Sequence, residues 1–131
     1  MKARHTVPFF VILLTPVAGL AADAARAGER ELPDPLAAGW AGAPVCAKLH
    51  EDATQRVLEC TFDPGRGHER HYHAPHFGYA VQGGRMRITD AGGTREVELA
   101  TGSHFSSAGV DWHEVLNVGD TTVIYLIVEP K

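Results

Sequence analysis

Gly67-His68-Glu69-Arg70-His71-Tyr72-His73-Ala74-Pro75-His76-Phe77-Gly78-Tyr79-Ala80-Val81-Gln82-Gly83 is the stretch on which the reading of this 131-residue chain turns. Four of the chain's eight histidines fall inside it: His68, His71, His73 and His76. On a strand, residues two apart point to the same side. His71 and His73 are therefore expected to project together into a core, with Arg70 and Tyr72 facing away. Two imidazoles meeting inside a protein need partners for their ring nitrogens. A divalent metal meets that need, and imidazole suits Zn, Cu, Fe and Ni. A His-x-His pair alone also occurs on surface strands. A cluster of four with a distant partner points to a metal. His113 is that partner: it follows the Gly109 turn, enters a new strand and is flanked by Trp112.

Outward from this stretch the texture is all β. From Val45 on, short apolar runs alternate with turn clusters, the pattern of a sandwich or barrel. Leu58, Cys60 and Phe62 share one face of a strand, and Glu59 and Thr61 the other. Met86 and Ile88 oppose Arg85 and Arg87, and Val97 and Leu99 alternate with Glu96 and Glu98. Asp90-Ala91-Gly92-Gly93 reads as a hairpin turn. Thr121 to Val128 is apolar on both faces, as a covered strand is. No helix or repeat is evident in this region. His50 and His104 read as surface or edge residues, and His68 as part of a loop after Gly67. Glu114, next to His113, is expected to point away from the metal. Asn117 reads as a turn former. Tyr72, Tyr79, Tyr125 and Trp112 read first as packing residues, although Tyr79 could also face the pocket.

The N-terminus has the layout of a secretory signal peptide. Lys2 and Arg4 precede an apolar core over 7–14, and no charge appears between His5 and Asp23. Small residues at Gly19-Leu20-Ala21 and Ala22-Asp23-Ala24 suit cleavage. The rival, an uncleaved membrane anchor, needs about 20 apolar residues, and Pro8 and Pro16 interrupt this run. The expected organisation is a signal peptide over 1–22, an Ala/Gly/Pro-rich linker or N-terminal arm over 23–44 that Trp40 pins, and a barrel over 45–131. The expected location is the periplasm or the exterior, with no membrane attachment after cleavage. The 12 basic and 16 acidic residues form no basic patch, which argues against nucleic-acid binding. Disulfides persist in oxidising compartments, so a Cys46–Cys60 bridge is one reading and two small buried hydrophobes the other. A strand–turn–strand register that pairs them also sets Lys48 beside Leu58 on an inner face.

The quoted stretch resembles the first motif of the cupin superfamily, which runs from a glycine through His-x-His and a glutamate to a strand ending in glycine. Gly102 through Ser107-Ala108-Gly109 to His113-Glu114-Val115-Leu116-Asn117 resembles the second. The resemblance spans Val45 to Glu129. It implies a small antiparallel β-barrel or jelly roll with one divalent transition metal inside. Two departures stand out. Counting back from Gly83 places His76 where the family has its glutamate. The implied ligands are then His71, His73, His76 and His113, with Glu69 as a weaker substitute. The proline usual in the second motif is replaced by Ser107-Ala108, and Gly109 lies one residue farther from His113 than expected. Without a carboxylate the metal is open among Fe, Mn, Zn, Ni and Cu. The family holds dioxygenases, isomerases and decarboxylating enzymes, so fold alone does not choose a reaction. Expected partners are a small-molecule ligand or substrate and, as in many small cupins, a second copy in a homodimer. A metal-stabilised module that binds or senses a ligand without turnover is the alternative.

Overall fold

The structure is a computed structural model that describes residues 31–131. The expected signal peptide and the start of the arm lie outside the described residues. Eleven strands form, and among the described residues there is no helix. They are β1 (Gly39–Trp40), β2 (Ala43–Pro44), β3 (Cys46–Glu51), β4 (Gln55–Phe62), β5 (Gly67–His73) and β6 (His76–Gln82). The chain continues with β7 (Gly84–Asp90), β8 (Gly93–Leu99), β9 (His104–Ser107), β10 (Val110–Asn117) and β11 (Val123–Pro130). All pairings are antiparallel. One sheet runs β5-β10-β7-β8, the other β3-β4-β11-β6-β9, and β1-β2 is a small ribbon.

The alternation read from the sequence sets which faces close on each other. Leu58, Cys60 and Phe62 of β4 are buried with Val123 and Ile127 of β11. From the other sheet come Met86 and Val115. Burying a side chain such as Leu58 or Val123, both fully shielded, contributes about 1.5–3 kcal/mol. Asn117 fixes the β10–β11 loop. Its amide donates to the carbonyls of Phe62 (2.8 Å) and Thr121 (2.7 Å), and its oxygen accepts from Gly119 N (2.9 Å).

Cys46 and Cys60 are register partners and form a disulfide, with Cα atoms 4.0 Å apart. Closing a loop of this length contributes about 3 kcal/mol. Lys48 does pair with Leu58, yet it is exposed. β3 is the outermost strand of its sheet, and a register shift follows between Lys48 and His50, so the ammonium reaches solvent and Glu51 at 2.5 Å.

The described part of the arm packs on the barrel, and the compact unit begins at Leu32. Pro33 O accepts from Tyr72 N (3.2 Å), and Asp34 Oδ2 meets Arg56 Nη1 at 2.7 Å. Trp40 packs against Gly67, where a Cβ would fall 2.7 Å from the indole ring.

Candidate metal centre

Strands β5 and β10 carry the site. His71 and His113 are register partners. Two β-bulges aim them. Between His113 and Val115 on β10 there are two steps, against three between His71 and His68 on β5. The extra residue reverses the parity of β5 below His71. His68 is therefore a buried strand residue, not a loop residue, and Glu69 is exposed. Glu69 accepts a hydrogen bond from Ala41 N at 3.1 Å and is no substitute ligand. The second bulge lies on β10 between Val110 and His113. It absorbs the extra residue that separates Gly109 from His113. Gly109 itself turns with φ +103°, and a Cβ there would press to 2.9 Å from His73 O.

His71, His73 and His113 converge. His71 is fully buried, and its Nε2 lies 3.0 Å from Nε2 of both His73 and His113. The facing nitrogens of the three all fall within 4.8 Å of one another. His71 Nδ1 donates to Glu69 O at 2.6 Å, and a carbonyl can only accept. The neutral ring therefore turns a bare Nε2 lone pair toward the other two. Burial holds His71 neutral, with its pKa pushed down to about 2, and His113 is pushed down to about 3 for the same reason. The two separations of 3.0 Å that His71 makes suit an ion bound at roughly 2.0–2.1 Å from its nitrogens. The donor set fits a divalent transition metal.

His76 stands outside this trio. Its ring centroid is 4.7 Å from that of His73, and its Nδ1 donates to Ala74 O at 2.8 Å, so it too presents a bare Nε2. His68 supports the site without joining it. Its ring lies 3.8 Å from that of His71, and its Nε2 is engaged by Ala38 O at 3.2 Å. Glu114 is exposed, as its parity requires, and Tyr79 is on the outer face of β6 beside Phe77 and Val81. His50 and His104 are exposed on their strands.

A carboxylate does stand at the site, from a strand the motif does not include. Glu129 of β11 is 3% exposed. Its Oε2 binds Arg56 Nη2 at 2.5 Å and Nε at 2.7 Å. Its Oε1 is 3.7 Å from His73 Nδ1, too far for a hydrogen bond, and both atoms are otherwise unpartnered and buried. Burial raises the Glu129 carboxyl, but Arg56 and His73 outweigh it and keep the group below its ordinary value. A histidine that gives Nε2 to a metal offers Nδ1–H to such a carboxylate, which sets ring orientation and basicity. Replacing Glu129 with Gln should weaken metal binding about 10–100-fold while the fold persists. Chelator competition measures this, and an unchanged affinity would remove Glu129 from the site. The sequence held a signal for it. Glu129 shares parity with Val123, Tyr125 and Ile127, so it belongs to the inner face of β11.

Above the histidines lies a cavity of about 320 Å³, walled by both sheets. Its lining is mainly apolar and includes Phe62, Met86, Val97 and Phe105. Phe105 sits edge-on to His76, with ring centroids 5.7 Å apart.

The comparisons agree with this architecture. A cupin domain from Bordetella pertussis Tohama I superposes with a TM-score of 0.63 at 20% identity, covering 76% of this chain and 98% of that one. The polyketide cyclase RemF from Streptomyces resistomycificus gives 0.54 at 20% identity, covering 65% and 63%. A cupin-superfamily sugar phosphate isomerase from Silicibacter pomeroyi gives 0.51 at 16%, covering 76% and 66%. At these identities the likeness concerns the fold. No curated protein matches the sequence. The cupin domain family matches residues 58–129, more than half of the chain and both strands of the histidine site, and the chain belongs to that family.

Proposed function

We propose that this cupin holds one divalent transition metal on His71, His73 and His113, with His76 as the fourth ligand, and acts on a small organic molecule in the cavity above it. The observation that carries this reading is the convergence of two buried imidazoles and one half-buried one, their facing nitrogens within 4.8 Å of one another, on the floor of an apolar cavity. When bound, the metal supplies Lewis-acid polarisation of a ligand oxygen or a site for oxygen. The chain's own residues hold and shield it. Glu69 O and Ala74 O fix the tautomers of His71 and His76, and mainly apolar walls surround them.

Among the described residues no carboxylate lines the cavity, and of its histidines four are the proposed ligands while His68 is engaged by Ala38 O. That favours chemistry at the metal over acid–base chemistry by side chains. The protein is proposed to work outside the cytoplasm, and the Cys46–Cys60 disulfide supports this reading. The test is turnover. Metal-loaded protein is incubated in air with a panel of small organic acids, while oxygen uptake and product masses are followed. Consumption of one substrate, lost after chelation, is the expected result. No conversion of any panel member would favour a ligand carrier over an enzyme.

A further inference from the structure

One cation enters the apolar cavity. Among the described residues that line it, Arg95 is the only lysine or arginine. Its placement follows from register. Arg95 pairs with Ile88 on β7 and alternates with Val97 and Leu99, which pack against the core. Glu96 and Glu98, between them, are exposed. Arg95 therefore belongs to the inner face of β8, although its side chain reaches the mouth and is 52% exposed.

Asp90 holds it there. Arg95 Nη1 lies 2.8 Å from Asp90 Oδ2, and Asp90 is the register partner of His113. The other Asp90 oxygen accepts from Gly92 N at 2.8 Å, inside the hairpin turn. The guanidinium is thus anchored to the residue opposite His113. A guanidinium has five N–H donors in a planar fork, and the contact with Asp90 engages one of its nitrogens. Tyr125 lines the same cavity, and burial pushes its hydroxyl up to about 12, so it stays protonated. Apart from the histidines, the walls therefore offer the Arg95 guanidinium, Tyr125 and hydrocarbon, and no carboxylate.

We infer that the cavity selects an apolar monocarboxylate, with its carboxyl group held by Arg95 and its hydrocarbon body between the sheets. This rests on the reading of the cavity as the ligand site. At roughly 30 Å³ for a water-sized group, a 320 Å³ cavity holds about ten non-hydrogen atoms. Planar guanidinium matches carboxylate in a bidentate manner, which a neutral amide of the same shape does not reproduce.

Phenylacetate and phenylacetamide are matched probes of this size. Calorimetric titration of the protein, as isolated and after chelation, is expected to show the acid binding about tenfold tighter or more, the scale of a hydrogen bond to a charged group. In Arg95→Gln the two affinities should come together, and in Arg95→Lys part of the preference should return. The preference should survive chelation if Arg95 carries it. Equal binding of acid and amide to the wild type, or a preference that persists in Arg95→Gln, overturns the assignment and leaves the cavity standing as a ligand site. A preference that vanishes only on chelation assigns the carboxylate to the metal and also overturns it. Binding of neither probe overturns both this inference and the reading beneath it. Thermal melts of each variant confirm that the barrel is intact.

Discussion

Replacing His71 with alanine is expected to abolish stoichiometric metal binding while leaving a folded barrel. His71 is the hub of the trio: its Nε2 is 3.0 Å from both of the others, and no part of it reaches solvent. Without it, His73 and His113 remain on separate strands and lose the one nitrogen that lies 3.0 Å from both, while His76 stands outside the trio. The fold should survive because the Leu58, Phe62, Met86 and Val123 core and the Cys46–Cys60 disulfide do not depend on the imidazole. The readout is thermal stability with and without added metal. A ligand at a thousand times its dissociation constant stabilises the native state by about 4 kcal/mol. The wild type should show a metal-dependent rise in melting temperature, and His71→Ala should show none. His104→Ala, at an exposed position on β9, should keep the full rise. An undiminished rise in His71→Ala would place the metal elsewhere.

The second large effect is acid instability of the metal-free protein. His68 and His71 are buried and His113 half-buried, and desolvation lowers their pKa values to about 4, 2 and 3 from an ordinary 6.5. In the unfolded chain they take up protons near pH 6.5. Between that pH and the folded values the unfolded chain binds more protons, so stability falls as pH drops below 6.5. The contribution is complete above pH 6.5 and is lost on the way down to the folded values. His68 alone accounts for about 3 kcal/mol at 1.4 kcal/mol per pKa unit. A chelated sample should therefore melt at a much lower temperature at pH 4.5 than at pH 7. His68→Leu should reduce that dependence, because its ring no longer has to be kept neutral beside Ala38, while His71 and His113 keep their share. A melting temperature unchanged between pH 7 and pH 4.5 would contradict the buried neutral cluster.

Much of this was legible in the sequence because strand parity is a strong signal where one face is buried. The alternation in β4, β7 and β8 set their inner faces correctly, and the His71-x-His73 spacing put both rings inside. Parity failed where a bulge intervened. Reading back from His71 gives Glu69 the inner face, but the extra residue on β5 hands that place to His68. Nothing in the local sequence marks that bulge, which is set by how β5 pairs with β10. Glu129 was missed for another reason. The final strand reads as apolar on both faces, and a charged residue at its end looks like a terminus rather than a member of the inner row. Arg95 was hidden similarly, at the start of a strand whose Val97 and Leu99 define the face. The arm was read from its Ala, Gly and Pro content, which does not show that Pro33, Asp34 and Ala38 bond to β5 and β4.

The most direct measurement is the metal content of the wild-type protein after removal of loosely bound ions. Elemental mass spectrometry should find one transition-metal ion per chain. The same preparation of a His71→Ala, His73→Ala double variant should carry none. Wild-type protein that carries no stoichiometric metal, even after incubation with each of Fe, Mn, Zn, Ni and Cu, would show that the three histidines converge for structural reasons alone.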